Sequence, residues 1–284
     1  MEHPPNIDWP FFAYGLFRPG QLAFFQLREL VAKVDEPARV AGSLLLRDGL
    51  PIIDPDSRER TEGALLTFLP ERASDAYDCI STMEPDKHYR WNEAKINGVS
   101  ANVLVGRSPR KGSVVCEDAV WDGWNDPLFT AALEVVEETL KSQVFDWDMK
   151  SLFKLQMAYL LLWSSIERYV SLRYHLGDKV TAKVGKLATE SAFATSLKQH
   201  VHLNDSQGGY REVYRADRPG ERVVLNPHSP DKAVDYYYQV RSNITHRGKG
   251  VPRDYDLLKK SLEELLNIFR DVLKAAKRDA KHSA

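Results

Sequence analysis

The sequence predicts an α+β amino-terminal domain, residues 1–120, followed by an all-α helical bundle, residues 121–284. Three observations carry that reading. Up to about residue 120, short apolar runs are separated by Gly, Pro and Asn-Gly turn signals, the pattern of strands and hairpins. Beyond WDGWNDP, Trp121 to Pro127, apolar residues recur at helical spacing over long stretches. The charge divides as well: residues 1–149 hold 15 Lys and Arg against 25 Asp and Glu, a net of −10, whereas residues 150–284 hold 24 against 15, a net of +9. A basic half suits a polyanionic partner, and an acidic half either docks against it or keeps it soluble.

The amino-terminal elements follow in order. FFAYG, Phe11 to Gly15, is an apolar strand closed by Arg18-Pro19-Gly20. QLAFFQLRELVAKV repeats apolar residues at helical spacing from Leu22 to Val34, so a helix is expected there. VAGSLLL and LPIID flank a turn at Arg47 to Gly49, and GALLTFL supplies a further strand. ASDAYDCISTME, Ala73 to Glu84, reads as a short helix. YRWNEAKI and SANVLVG flank Asn97-Gly98, a dipeptide that accepts the positive φ angles of a tight hairpin. Together these make a mainly antiparallel α+β domain.

YGLFRPG at residues 14–20, VAGSLLLRDGLPIID, TEGALLTFL, and Glu84 followed by Tyr89-Arg90 resemble the gamma-glutamylcyclotransferase-like family over about 100 residues. The resemblance implies a small barrel with flanking helices. It also implies that Tyr14, Gly15 and Leu16 cradle a substrate carboxylate with backbone N–H groups. Glu84 would be the acid/base of an intramolecular cyclisation that releases 5-oxoproline. The chemistry is coherent, because a glycine turn after a strand lets N–H groups converge on an anion, and burial raises a carboxyl pKa toward useful values. Leu16 and Phe17 stand where the family usually carries Ser or Thr and then Leu, and Pro85 follows Glu84 where glycine is common.

In the second half, Asp126 is the expected cap and Pro127 the first residue of a helix through LFTAALEVVEETLKSQV. Met149 to Leu176 is apolar around much of its circumference and reads as the central helix, stopped by Gly177. KVGKLATESAFATSLKQHV is a shorter helix, and the Gly-, Pro- and Asn-rich stretch from His202 to Pro230 reads as an exposed insertion. Two further helices follow, from about Asp231 to His246 and from about Tyr255 onward, giving a bundle of about five helices.

A bundle of this kind with YYYQVRSNITHRGKG at the end of its penultimate helix resembles a HEPN domain, and Arg241 to His246 match that family's arginine-four-residues-histidine signature. The resemblance implies a dimer in which two such motifs face each other and cleave RNA without metal. The RNA's own 2′-hydroxyl would be the nucleophile, leaving a 2′,3′-cyclic phosphate. A histidine can move the hydroxyl proton, and a guanidinium can stabilise charge growing on phosphate oxygens. Five steps along a helix turn a side chain by about 140°. Arg241 and His246 therefore share a site only if the helix ends between them, as Gly248 and Gly250 would allow, or if a second copy completes it. Asn243 and Thr245 are expected to hold the imidazole or reach the phosphate. Glu167, a carboxylate within the apolar central helix, is the expected partner of Arg241 or His246, because a buried charge needs one. Arg247, Lys249 and Arg253 are expected phosphate contacts. The structural alternative is an arginine and a histidine bonded to nearby carbonyls, with Glu167 in a local salt bridge.

At 284 residues and 43% hydrophobic content the chain is long enough for two cores. No basic-then-apolar leader and no long apolar run is present, and Cys79 and Cys116 lack metal-type spacing, so a cytoplasmic protein outside the membrane is expected. No metal or other cofactor is expected. His200 and His202 read as surface histidines rather than ligands, and Tyr236, Tyr237 and Tyr238 as candidates for base stacking of which at least one is core. The leading functional expectation is a HEPN-type endoribonuclease, of the toxin or antiviral-defence kind, acting on tRNA or mRNA. Its expected partners are a second copy of itself and a neutralising protein, with a small-molecule ligand in the barrel for sensing or regulation. The alternative is a gamma-glutamyl cyclotransferase whose helical half dimerises it; a binding protein with neither activity is the third reading.

Overall fold

The computed structural model describes residues 1–118, 120–142, 148–174, 180–203, 211–218, 220–247 and 252–282. The protein is mixed α/β, with a mixed sheet and a carboxyl-terminal helical region. Two compact units divide the chain, Met1–Asp126 with Lys277–Ala284, and Pro127–Ala276.

In the first unit the strands are β1 (Phe11–Ala13), β2 (Val31–Ala41), β3 (Ser43–Arg47), β4 (Leu50–Asp54) and β5 (Arg60–Phe68). Helix α1 (Ala73–Met83) follows, then β6 (Tyr89–Ile96), β7 (Val99–Gly106) and β8 (Val114–Val115). They form a five-stranded sheet in the order β2-β5-β1-β7-β6 and a three-stranded sheet in the order β4-β3-β8. The pairing is antiparallel except between β1 and β7, which run parallel with Phe12 beside Val103. Both predicted tight turns form: Asp48 and Gly49 have φ of 52° and 75°, and Asn97 and Gly98 have 52° and 85°, as two-residue hairpin loops require.

The helix expected over Leu22 to Val34 is absent. Two 3₁₀ turns, Phe24–Gln26 and Arg28–Leu30, take its first half, and β2 takes the rest. Phe24, Leu27 and Leu30, three residues apart, are buried, a spacing that 3₁₀ turns satisfy as well as an α-helix does. Val31, Val34 and Val40 favour a strand, and Pro37 forbids a continuing helix; the β2 register shifts between Asp35 and Ala38, where Pro37 sits. α1 buries Ala73, Ala76, Tyr77, Ile80 and Met83, one amphipathic stripe. Tyr77 Oη is fixed by donating to Trp9 O at 2.6 Å while it accepts from Asn102 Nδ2 at 2.8 Å.

The second unit contains α2 (Ala131–Ser142), α3 (Met149–Tyr174), α4 (Val180–Leu187), α5 (Ser191–His200), the hairpin strands β9 (Glu212–Tyr214) and β10 (Arg222–Val224), α6 (Pro230–Arg247) and, as far as Ala276, α7 (Pro252–His282). α2 begins at Ala131, four residues after the Pro127 start that the sequence predicts. The single helix expected from Lys183 to Val201 is two, because Thr189 and Glu190 turn the chain between α4 and α5; Gly177 lies outside the described residues. The apolar stripe of α3 (Leu152, Leu155, Tyr159, Leu162, Ile166, Tyr169) is buried, as are Tyr236 and Tyr237 of α6 and Leu262, Leu265 and Phe269 of α7. Tyr159 Oη donates to Tyr237 O at 2.9 Å, and Arg211 and Tyr237 both bond the buried Glu264 carboxylate. Tyr236 and Tyr237 are therefore core residues rather than base-stacking platforms. The stretch read as an insertion is partly built in: Val213, Val223 and Leu225 are buried.

Candidate functional site

α6 starts where Asn226 turns the chain, with Ser229 N donating to Asn226 O at 3.1 Å and Pro230 as the first helical residue. It then runs unbroken through Arg247, so both ends of RSNITH lie inside one helix. The first of the two ways for Arg241 and His246 to meet, a helix end between them, is thereby removed. Their side chains leave the helix about 140° apart. Arg241 is half-buried, Ser242 and Asn243 are buried, and Thr245 and His246 are exposed. The side chains of Arg241 and His246 make no hydrogen bond or ion pair with another described residue.

The three residues expected in supporting roles bond other described residues. Asn243 Nδ2 donates to Tyr214 O on β9 at 2.9 Å, so this amide ties α6 to the hairpin rather than reaching the imidazole; its buried Oδ1 accepts no hydrogen bond. Thr245 Oγ1 donates to Ser242 O at 3.0 Å, within its own helix. Glu167 accepts from Trp163 Nε1 at 2.7 Å, one turn back along α3, and not from Arg241 or His246; an indole N–H satisfies a carboxylate without a cation. Arg247 is the last residue of α6 and Arg253 the second of α7. Lys249, Gly248 and Gly250 lie outside the described residues. Beside the motif, Asn243 and Ile244 line a cavity of about 210 Å³ with Leu152, Gln156, Tyr214 and Asp254. His200, on α5, bonds Asp271 of α7 at 2.8 Å.

In the first unit, Tyr14, Gly15, Leu16 and Glu84 do come together. With Pro51 and Tyr89 they line one cavity of about 20 Å³, room for about one water molecule. Glu84 is delivered by the end of α1, its N–H donating to Ile80 O at 2.9 Å. Burial pushes its carboxyl from the ordinary 4.5 up to about 7. Tyr14 Oη donates to Leu104 O at 2.8 Å and Tyr89 Oη to Pro51 O at 2.9 Å. Burial, then the neighbouring Glu84 charge, pushes both phenols well above their usual range. Gly15 is required here: a Cβ on it would lie 2.8 Å from Pro51 Cγ. Tyr89 entered the sequence reading as a neighbour of the motif, and Pro51 carried no sequence signal.

No protein-family model matches the chain, and no curated protein matches it. Among solved structures, the chain is similar to an uncharacterized protein of Pyrococcus horikoshii, PH0828, with 16% identity over 39% of this chain and 89% of that one and a TM-score of 0.30. No helix among the described residues is long and apolar enough to cross a membrane.

Proposed function

We propose that this protein is a metal-independent endoribonuclease, with a HEPN-like bundle carrying the chemistry at Arg241 and His246 and a gamma-glutamylcyclotransferase-like barrel attached to it. The carrying observation is that α6 continues through RSNITH while the Arg241 and His246 side chains make no hydrogen bond or ion pair with another described residue. One copy does not bring the two groups to one face, whereas two copies facing each other pair the arginine of one with the histidine of the other. Met149, Phe153 and Met157 supply α3 with an exposed apolar stripe at i, i+4 and i+8, and such a stripe supports self-association.

In this reading His246 takes the proton of a ribose 2′-hydroxyl, and the 2′-oxygen attacks the adjacent phosphorus. The bond to the 5′-oxygen breaks, and that oxygen leaves with a proton from the second imidazole. Arg241 stabilises the non-bridging oxygens as charge grows on them. The products are a 2′,3′-cyclic phosphate and a 5′-hydroxyl. To test this, the wild type, Arg241→Ala and His246→Ala are incubated with total RNA and tRNA in EDTA and product ends are analysed. Only the wild type should leave cyclic phosphates. Cleavage by His246→Ala alone would refute the assignment.

A second reading rests on the Glu84 carboxyl near pH 7, a value suited to proton transfer at neutral pH. It makes the first unit a gamma-glutamyl cyclotransferase with a dimerising helical half. A cavity of about 20 Å³ does not hold a gamma-glutamyl group, so turnover would require it to open. Release of 5-oxoproline from gamma-glutamyl compounds, lost in Glu84→Gln, is its test; inertness toward all of them removes it.

A further inference from the structure

The helical unit carries a cleft that neither reading uses, with a volume of about 790 Å³, within the range of small-molecule sites. Its floor is apolar, and Val201, Leu225 and Pro227 are buried there. Lys198 near the end of α5, His202, His228 and Lys232 in the first turn of α6 rim it, all four exposed. No carboxylate lines the cleft among the described residues. The local sequence explains the arrangement. His200 turns to Asp271 and bonds it at 2.8 Å, and the chain straightens after α5, which leaves His202 on the cleft. Across from it, Asn226 Oδ1 accepts from His228 N at 2.9 Å, a turn that raises the second imidazole over the same floor.

This combination selects a ligand class. Two ammonium groups with no opposing carboxylate favour phosphate oxygens. An apolar floor flanked by imidazoles favours a flat heterocycle, since bases stack on histidine as on other aromatic rings. Asn226, whose Oδ1 is engaged, still has Nδ2 to donate to a base edge. A bare inorganic anion would leave the floor uncovered, and a purely apolar ligand would leave the lysines unmatched. We propose that this cleft binds a nucleoside phosphate, the base over Val201 and Leu225 and the phosphates on Lys198 and Lys232. The ligand is either a free nucleotide or one nucleotide of an RNA strand. The site is separate from RSNITH: Lys232 and His246 are fourteen residues apart on α6, about 21 Å along its axis. The inference does not depend on the ribonuclease reading.

The test is equilibrium binding to the full chain of two probes, a ribose-labelled fluorescent ATP and an end-labelled 2′-O-methyl oligouridine, which no 2′-hydroxyl chemistry can cut. Because both lysines are exposed, Lys198→Glu/Lys232→Glu changes charge rather than packing, and His228→Ala is the second variant. Loss of even one charge-assisted bond weakens binding by about tenfold, so at least that fold-change is expected in the double variant. Arg241→Ala should bind as the wild type does. A loss confined to ATP identifies a free-nucleotide site, and a loss confined to the oligouridine identifies a strand-binding site. Absence of binding by both probes, or binding of both unchanged in the charge-reversed variant, would overturn the proposal. So would tripolyphosphate that competes as well as ATP, because the floor would then contribute nothing.

Discussion

Replacing Glu84 with glutamine should remove a pH dependence of stability that the wild-type protein carries. Burial raises the Glu84 carboxyl from 4.5 to about 7. Between those values the folded chain binds more protons at this site than the unfolded chain does. Stability therefore falls as pH rises through that window and levels off above it. At about 1.4 kcal/mol per unit of pKa, the loss across the window comes to roughly 3 kcal/mol. Glutamine keeps the shape and cannot ionise. The assay is urea unfolding of the full-length wild type and Glu84→Gln across that pH range, followed by tryptophan fluorescence, to which the first unit contributes Trp9, Trp91, Trp121 and Trp124. Subtracting the two curves cancels every other titrating group. The two proteins should match near pH 4.5, and the variant should be more stable by roughly 3 kcal/mol at about pH 8. Parallel curves would show that Glu84 titrates like an exposed carboxylate and would remove the reason for assigning it acid/base chemistry.

Other substitutions probe the packing that holds the two sites. Glu264→Leu leaves the largely buried Arg211 guanidinium without its carboxylate and should cost about 3–5 kcal/mol, most of which Arg211→Met in the same chain recovers; thermal melts of the single and double variants decide. Asn243→Ala removes the bond to Tyr214 O and should destabilise the helical unit by about 1 kcal/mol, read as a lower urea midpoint. Gly15→Ala puts a methyl 2.8 Å from Pro51 Cγ and should cost about 1–3 kcal/mol by overpacking; an unchanged melting temperature would show that Pro51 yields freely.

Much of the local structure was legible because it depends on short-range chemistry. Asn97-Gly98 and the Asp48-Gly49 turn adopt positive φ, as those residues favour. The 3.6-residue stripe of α3 and the α6 position of RSNITH were equally plain. The misreadings share one cause. Leu22 to Leu30 fits helical spacing, yet spacing does not distinguish an α-helix from successive 3₁₀ turns when the following valines are claimed by β5 across the sheet. Glu167 looked like a carboxylate in search of a cation, whereas a tryptophan one turn away satisfies it. The sequence by itself determined the strand-rich first half, the helical second half, and the residue types at the ends of RSNITH. Only the tertiary structure decided that Glu84 meets Tyr14 and Tyr89 in a cavity that raises its pKa, that Asn243 is committed to the hairpin, and that Lys198 and Lys232 face one cleft. The physical reason is that burial, desolvation and the convergence of distant side chains are properties of packing, and the packing partners here lie tens of residues apart along the chain.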